Sequence, residues 1–475
     1  MALNDPIDEA IAAVPERVAF IDGDERITYR AVGDAIDRAA AALVSRGVAR
    51  GDRVVLAEGV GLLAVATVLG CARIGAAAAP MSPALTAGEM RTLAAAAGCG
   101  RLGVAGEASL STVADALGAA PMTARELNAV RPEPGHAPAG DEEIAAVLFT
   151  GGTTGTPKPI ELTHGVLGRR VRGFSLPIDP AADPAIGLIC VPFHHVAGLV
   201  GTLVGLAGGM TAVIQRRFEA GECLALLERH RVQRTFFVPT MLYRLLEHPD
   251  LPRTDLGALQ MVTYGAAPAS GELIERAMEA LPHVMFINVF GQTETLGAVT
   301  ALGPDDHAAG RAGSVGKPMP GVEIRIVDPA SGADVPDGET GEFWVRADHT
   351  YREGWIRTGD LVRRDGDGYL YAMGRLSDVI NRGGEKVDPL EVEAALRDHP
   401  DVVDAAVAGF ADVEMGERVG AVVVGSAAGD ALKAWCRERL AGYKIPERFV
   451  FVEEIPLTDL GKVSRTAVRG LVSNG

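Results

Sequence analysis

Hydrophobic and polar positions alternate along the first part of the chain in two rhythms. Between Arg26 and Pro80, apolar residues spaced three and four apart give way repeatedly to short β-branched runs. The spacing predicts an amphipathic helix over 31–46, a strand over 53–57 and a second helix over 62–74. Strand-like runs recur at 145–149, 185–191, 211–214, 235–238, 261–264 and 285–289, with helical segments between most of them. Such alternation marks α/β layering, with sheets covered by helices. The most apolar stretch, 59–80, is interrupted by Arg73 and several glycines before it reaches the ~18 residues of a membrane span. It reads as buried helix followed by buried strand.

From about Gly313 the pattern changes. Runs at 322–327, 341–346 and 368–373 read as strands joined by Gly/Asp/Pro turns, forming a smaller β-rich unit. After Gly374, helices over 389–398 and 431–440 mix with strands over 404–410, 419–424 and 448–452. This segment has its own apolar periodicity and is expected to fold separately. No solenoid-type repeat or low-complexity tract is visible, and the Ala-rich patches read as compositional. The expected fold class is α/β: a large N-terminal domain of layered β-sheets with helices plus a β-rich subdomain, then a small C-terminal α+β domain.

A length of 475 residues exceeds one ordinary core and agrees with two or more domains. Hydrophobic residues at 48% and charged residues at 23% give the balance of a globular protein rather than a disordered one. The five cysteines are scattered, without metal or disulfide spacing, which fits a reducing compartment. Acids run through the amino terminus, so no signal peptide is expected and the localisation expected is cytoplasmic. A net charge of −17 argues against a nucleic-acid-binding surface while leaving room for local phosphate sites.

The most informative chemistry lies between Phe149 and Lys158. Glycines at 151, 152 and 155 free the backbone to wrap an anion. Thr150, Thr153, Thr154 and Thr156, with Lys158, supply hydroxyls and one positive charge for phosphate oxygens. The spacing is not that of a Walker A loop. Here the chain resembles the adenylate-forming superfamily of acyl-CoA synthetases, peptide-synthetase adenylation domains and luciferases. Two departures from that family's loop are Gly151 in place of serine and Pro159 in place of glycine.

The resemblance extends from Ile27 to Arg465 and implies roles for particular residues. Thr150, Gly152, Thr154, Gly155 and Lys158 would bind phosphates. Pro192 to Gly198 is similar to a Pro-x-x-His-x-x-Gly motif, which places His195 at the acyl pocket. Tyr264 to Pro268 is similar to the segment that lies against adenine, so Gly265, Ala266, Ala267 and Pro268 would bind nucleotide, together with Asn288. Phe290-Gly291-Gln292-Thr293-Glu294 resembles the Tyr-Gly-x-Thr-Glu motif. Phe290 would then stack on adenine, Thr293 would contact the α-phosphate beside Gly291, and Glu294 with Thr153 would hold magnesium, since a carboxylate beside a triphosphate needs a cation between them.

Further along, the resemblance assigns Asp360 to the ribose hydroxyls, Arg375 to ribose and phosphate, and Lys462 to catalysis of adenylation. It implies a large domain over 1–374, a hinge over 375–377 and a small mobile lid over 378–475. Lid rotation would present Gly383, Gly384 and Glu385 to coenzyme A. Ser377 stands at the hinge where relatives carry Asp or Lys, and the segment between Arg346 and Trp355 is shorter than in relatives.

The implied reaction is activation of a carboxylic acid by ATP, with Mg2+, followed by transfer of the acyl group to coenzyme A. No acid lies near His195 to hold an α-ammonium, and Val289 stands where malonate-activating relatives place an arginine. An aromatic, alicyclic or fatty acid in a largely apolar pocket is therefore expected. Two alternatives stay open: a free-standing acyl-AMP ligase that loads a carrier protein, and a degenerate nucleotide-binding protein.

Overall fold

The computed structural model describes residues 2–131, 139–150, 158–458 and 461–474. Contacts divide the chain into two compact units, one of Met1–Glu323 with Arg346–Ile356, the other of Ile324–Val345 with Arg357–Gly475.

Two sheets organise the first unit. In one, the strands Gly103–Ala105, Arg53–Ala57, Ala77–Pro80, Ile144–Thr150 and Lys158–Thr163 lie side by side in that order. The first four are parallel and the last pairs antiparallel at the edge. The other sheet runs Lys317–Pro318, Gly297–Leu302, Met285–Gln292, Met261–Gly265, Arg234–Phe237, Ile186–Ile189, Thr211–Ile214, Val18–Asp22 and Glu25–Thr28. Its interior, from Met285–Gln292 to Val18–Asp22, is parallel throughout. Strands buried on both faces read as continuous apolar runs, which is why the sequence pattern located them.

Helices Tyr29–Ser45 and Leu62–Arg73 pack closely in the main core. A Cβ on Gly70 would lie 2.9 Å from the Ala39 side chain and 3.0 Å from the Ala40 amide. Ala39 and Ala40 are thus part of a contact surface that lets these two helices approach.

In the second unit, Glu323–Val327, Thr340–Arg346, Ile356–Arg364 and Leu370–Arg375 form a sheet in sequence order. A second sheet orders Glu385–Val387, Ile380–Arg382, Gly416–Gly425 and Val402–Asp412, with Arg448–Phe451 parallel to Gly416–Gly425. Helices Pro389–Arg397, Gly429–Arg437 and Arg465–Asn474 cover it, and their apolar stripes supply its cores. The mixed α/β architecture agrees with the expected fold class.

Candidate active site

Within the first unit, the expected phosphate-loop residues lie between Thr150, at the end of one strand, and Lys158, at the start of the next. These two residues are register partners across an antiparallel pair. Gly152, Thr153, Thr154 and Gly155 lie outside the described residues. Pro159 sits opposite Phe149 on the edge strand, where a missing N–H disrupts no interior ladder, so its departure from the family pattern has a structural accommodation.

The strand Met261–Gly265 ends at the expected adenine segment. Its Tyr264 is fully buried, and the hydroxyl meets His307 Nε2 at 2.9 Å. A Cβ on Gly265 would lie 2.1 Å from the Val289 carbonyl oxygen, so glycine alone fits between the strands. Ala266 then takes φ of 67°, a left-handed conformation that costs an alanine energy and that recurs at ligand-binding turns. On the neighbouring strand Asn288 is 6% exposed, and its Oδ1 has no hydrogen-bond partner among the described residues. An orphaned amide oxygen fits the exocyclic amine of adenine, which offers a donor.

The same strand continues through Phe290 and Gly291 into the turn Thr293–Thr295 that carries Glu294. A Cβ on Gly291 would lie 1.9 Å from the Gly297 carbonyl oxygen. Thr295, fully buried, accepts from the Gln292 amide at 3.0 Å, and its Oγ1 lies 2.7 Å from the Gly297 carbonyl oxygen. Leu296 and Gly297 turn the chain back with φ of 50° and 89°. Glu294 therefore sits on a rigid corner. Magnesium keeps most of its waters and takes one or two carboxylates with substrate phosphates. A single carboxylate on a fixed corner fits that donor set, and the described residues hold no group of three or more His, Cys, Asp or Glu that would suit another metal.

His195 is the N-cap residue of the helix Val196–Ala207, and its ring centroid lies 4.3 Å from that of His194. Phe193, two residues earlier, is fully buried. Gly198 is required here because a Cβ would lie 2.1 Å from the Pro192 carbonyl oxygen.

The second unit brings three other expected residues together. Asp360, 7% exposed, lies on Ile356–Arg364 beside Arg375, its register partner on the next strand. Arg375 Nε donates to Asp360 Oδ1 across 2.8 Å. Burial raises the Asp360 carboxyl above the ordinary aspartate range, opposed by the charges of Arg375 and Lys462. Burial also lowers the Lys462 ammonium, reinforced by Arg375 and opposed by Asp360. Thr358 donates to the Phe343 carbonyl at 2.7 Å and accepts from the Asp360 amide at 3.0 Å, which fixes the carboxylate's strand.

Lys462 follows a tight turn in which the Thr458 amide donates to the Lys462 carbonyl at 2.7 Å. Three residues later, Arg465 pairs with Glu393, which is 1% exposed and also accepts from the Val407 amide at 2.7 Å. Sequence reasoning missed Glu393 as the anchor of this turn. Its signal was an acid among the apolar positions of the helix Pro389–Arg397.

Gly383 and Gly384 form the tip of a hairpin between Ile380–Arg382 and Glu385–Val387. Both have positive φ, 61° and 95°, as a two-residue primed turn demands. Glu385 is exposed beside them.

Residues 7–354 match the family model of AMP-binding enzyme, and residues 391–462 match the AMP-binding enzyme C-terminal domain. A feruloyl-CoA synthase from Amycolatopsis sp is 34% identical, the match covering 96% of both chains. Among solved structures, the amide bond synthetase McbA from Marinactinospora thermotolerans shares 30% identity at a TM-score of 0.86, covering 99% of each chain. O-succinylbenzoate coenzyme A synthetase from Bacillus subtilis, in complex with ATP and magnesium ion, shares 27% identity at a TM-score of 0.85, covering 98% of this chain and 99% of that one. The chain belongs to the AMP-binding enzyme family, the adenylate-forming superfamily that its motifs resemble.

Proposed function

We propose that this chain is a carboxylic acid–CoA ligase that takes an aromatic acid, forming acyl-AMP from ATP and then acyl-CoA with release of AMP. A carboxylate is a poor electrophile, because its charge repels nucleophiles and its oxygen leaves badly. Joining it to AMP removes both obstacles. In the first step the acid's oxygen attacks the α-phosphorus and pyrophosphate leaves. In the second a thiol attacks the acyl carbon and AMP leaves.

The observation that carries this reading is the cluster of Asp360, Arg375 and Lys462. A buried carboxylate for the ribose sits within electrostatic reach of a lysine whose ammonium can neutralise phosphoryl oxygens. Catalysis of such a step is positioning and electrostatics rather than proton transfer. Lys158, Thr150, Thr153 and Thr293 would hold phosphates, and Glu294 with Thr153 would hold magnesium. That ion, when bound, neutralises the charge that would otherwise repel the carboxylate.

Lys462 and the incoming thiol need the same approach, so the small domain is read as a lid over 378–475 that turns about 375–377 relative to 1–374. Gly374, at φ of 110° directly before those residues, supports a pivot there. The turned lid would present Gly383, Gly384 and Glu385 to coenzyme A. An aromatic acid is supported by the similarity to a feruloyl-CoA synthase, and an acid without an ammonium or second carboxylate by the lack of an acidic residue in the sequence beside His195 and by valine at 289.

The test is pyrophosphate and AMP release over a panel of aryl, alicyclic and fatty acids, with and without coenzyme A. The reading expects acid-dependent pyrophosphate release, with aryl-CoA formed only when coenzyme A is present. Transfer to a carrier protein or to an amine, with none to coenzyme A, would reassign the acceptor. Release of ADP would overturn the reaction itself.

A further inference from the structure

The corner that carries Glu294 is held from outside as well as from within. The Tyr351 amide donates to the Glu294 carbonyl across 3.2 Å. On the other side of the corner, Arg170 donates from Nη2 to the Ala298 carbonyl across 2.7 Å. Arg170 belongs to the helix His164–Phe174, which follows directly on the strand that begins with Lys158. Its guanidinium stacks 3.9 Å over the Phe174 ring. A Cβ on Gly297 would lie 3.5 Å from Nη2, so the guanidinium packs against the left-handed Leu296–Gly297 corner.

Stability alone does not account for an arginine at this position. The residue is 4% exposed, its Nε and Nη1 have no hydrogen-bond partner among the described residues, and none of those residues supplies it with a paired carboxylate. Burial pulls the guanidinium down to about 10. A buried cation with one backbone acceptor is more costly than an apolar side chain of similar volume. The cation supplies what a methionine would not, a rigid donor that fixes the carbonyl just beyond the turn.

We propose that Arg170 is a positioning residue for Glu294, tying the helix that follows the Lys158 strand to the corner so that Lys158 and the magnesium carboxylate share one frame. This rests on the reading of Glu294 as the magnesium ligand. Residues that orient a metal ligand without touching the metal typically change its affinity by about 10–100-fold when replaced.

The experiment follows acid-dependent pyrophosphate release against magnesium concentration for the wild type, R170M, R170K and E294Q. R170M should raise the half-saturating magnesium concentration about tenfold and leave KM for the acid unchanged, while R170K should shift it less. A folded R170M, with an unaltered thermal midpoint and the wild-type magnesium dependence, overturns the proposal. Should R170M fail to fold, R170K decides, and wild-type magnesium dependence in it is equally fatal. E294Q is the separate control: wild-type magnesium dependence there overturns the role of Glu294 itself, whereas a loss in E294Q with none in R170M removes only the role of Arg170.

Discussion

Arg375 and Asp360 face each other across adjacent strands, joined by a 2.8 Å charge-assisted hydrogen bond in which the carboxylate is buried and the guanidinium partly exposed. The fold thus sets a carboxylate in a place that penalises charge, and a neighbouring strand delivers a counter-ion that offsets part of the penalty.

Replacing Asp360 by Asn should separate stability from binding. The raised carboxyl shows that the ionised form is the penalised one in the folded chain. Removing the charge relieves that penalty, so the thermal midpoint of D360N should stay level or rise. KM for ATP should increase on the order of tenfold, because hydrogen bonds from the ribose to a charged acceptor are lost. In the wild type, ATP affinity should fall as pH drops through the raised Asp360 pKa, at a higher pH than an ordinary aspartate would give. D360N should lack that acidic limb, and a titration of nucleotide affinity against pH checks it.

Lys462 predicts the opposite limb. Burial and Arg375 lower its pKa, and under the proposed function its cationic form is the one that would neutralise phosphoryl oxygens. The rate of acyl-AMP formation should therefore fall as pH rises through a value below the ordinary lysine range. K462R, which does not deprotonate in that range, should retain a flat alkaline profile at a reduced rate. An alkaline limb that persists unchanged in K462R assigns the titration elsewhere.

Gly291→Ala should disable the corner by sterics alone. Its Cβ would meet the Gly297 carbonyl at 1.9 Å, so one of two hydrogen-bonded strands must move. A loss of roughly 1–3 kcal/mol in urea unfolding is expected, together with weakened magnesium dependence.

The anchor of the Lys462 turn gives a stability prediction. Glu393 is buried with Arg465 as its close partner, and truncating that arginine leaves the carboxylate only the looser pair with Arg397 at 3.7 Å and the Val407 amide. R465A should lose about 3 kcal/mol and lower the thermal midpoint. R465K should recover only part, since one ammonium does not reproduce a planar fork.

Much of the fold was legible because the relevant signals are local. The strand over 53–57 and the strand over 211–214 match the structure's Arg53–Ala57 and Thr211–Ile214, both largely apolar runs paired in parallel with the strands on either side. The helix Tyr29–Ser45 starts two residues earlier than its apolar periodicity indicates, because Thr28 caps it by accepting from the Ala31 amide. The strands Lys158–Thr163 and Gly297–Leu302 escaped notice: each is an antiparallel return after a functional turn, specified by its partner more than by its own composition. The site motifs were readable wherever backbone geometry demands a residue type, as at Gly265 and Gly291. Arg170 and Glu393 were not, because a lone charge on a helix looks solvated until its burial and its partner on another element are known.

The most direct test is to run the two half-reactions separately in Lys462→Ala. Loss of the ammonium should slow acyl-AMP formation by roughly a hundredfold or more, on the order of 3 kcal/mol of barrier. Thioester formation from supplied acyl-AMP and coenzyme A should proceed near the wild-type rate. Equal loss of both half-reactions, or undiminished acyl-AMP formation, would contradict the account.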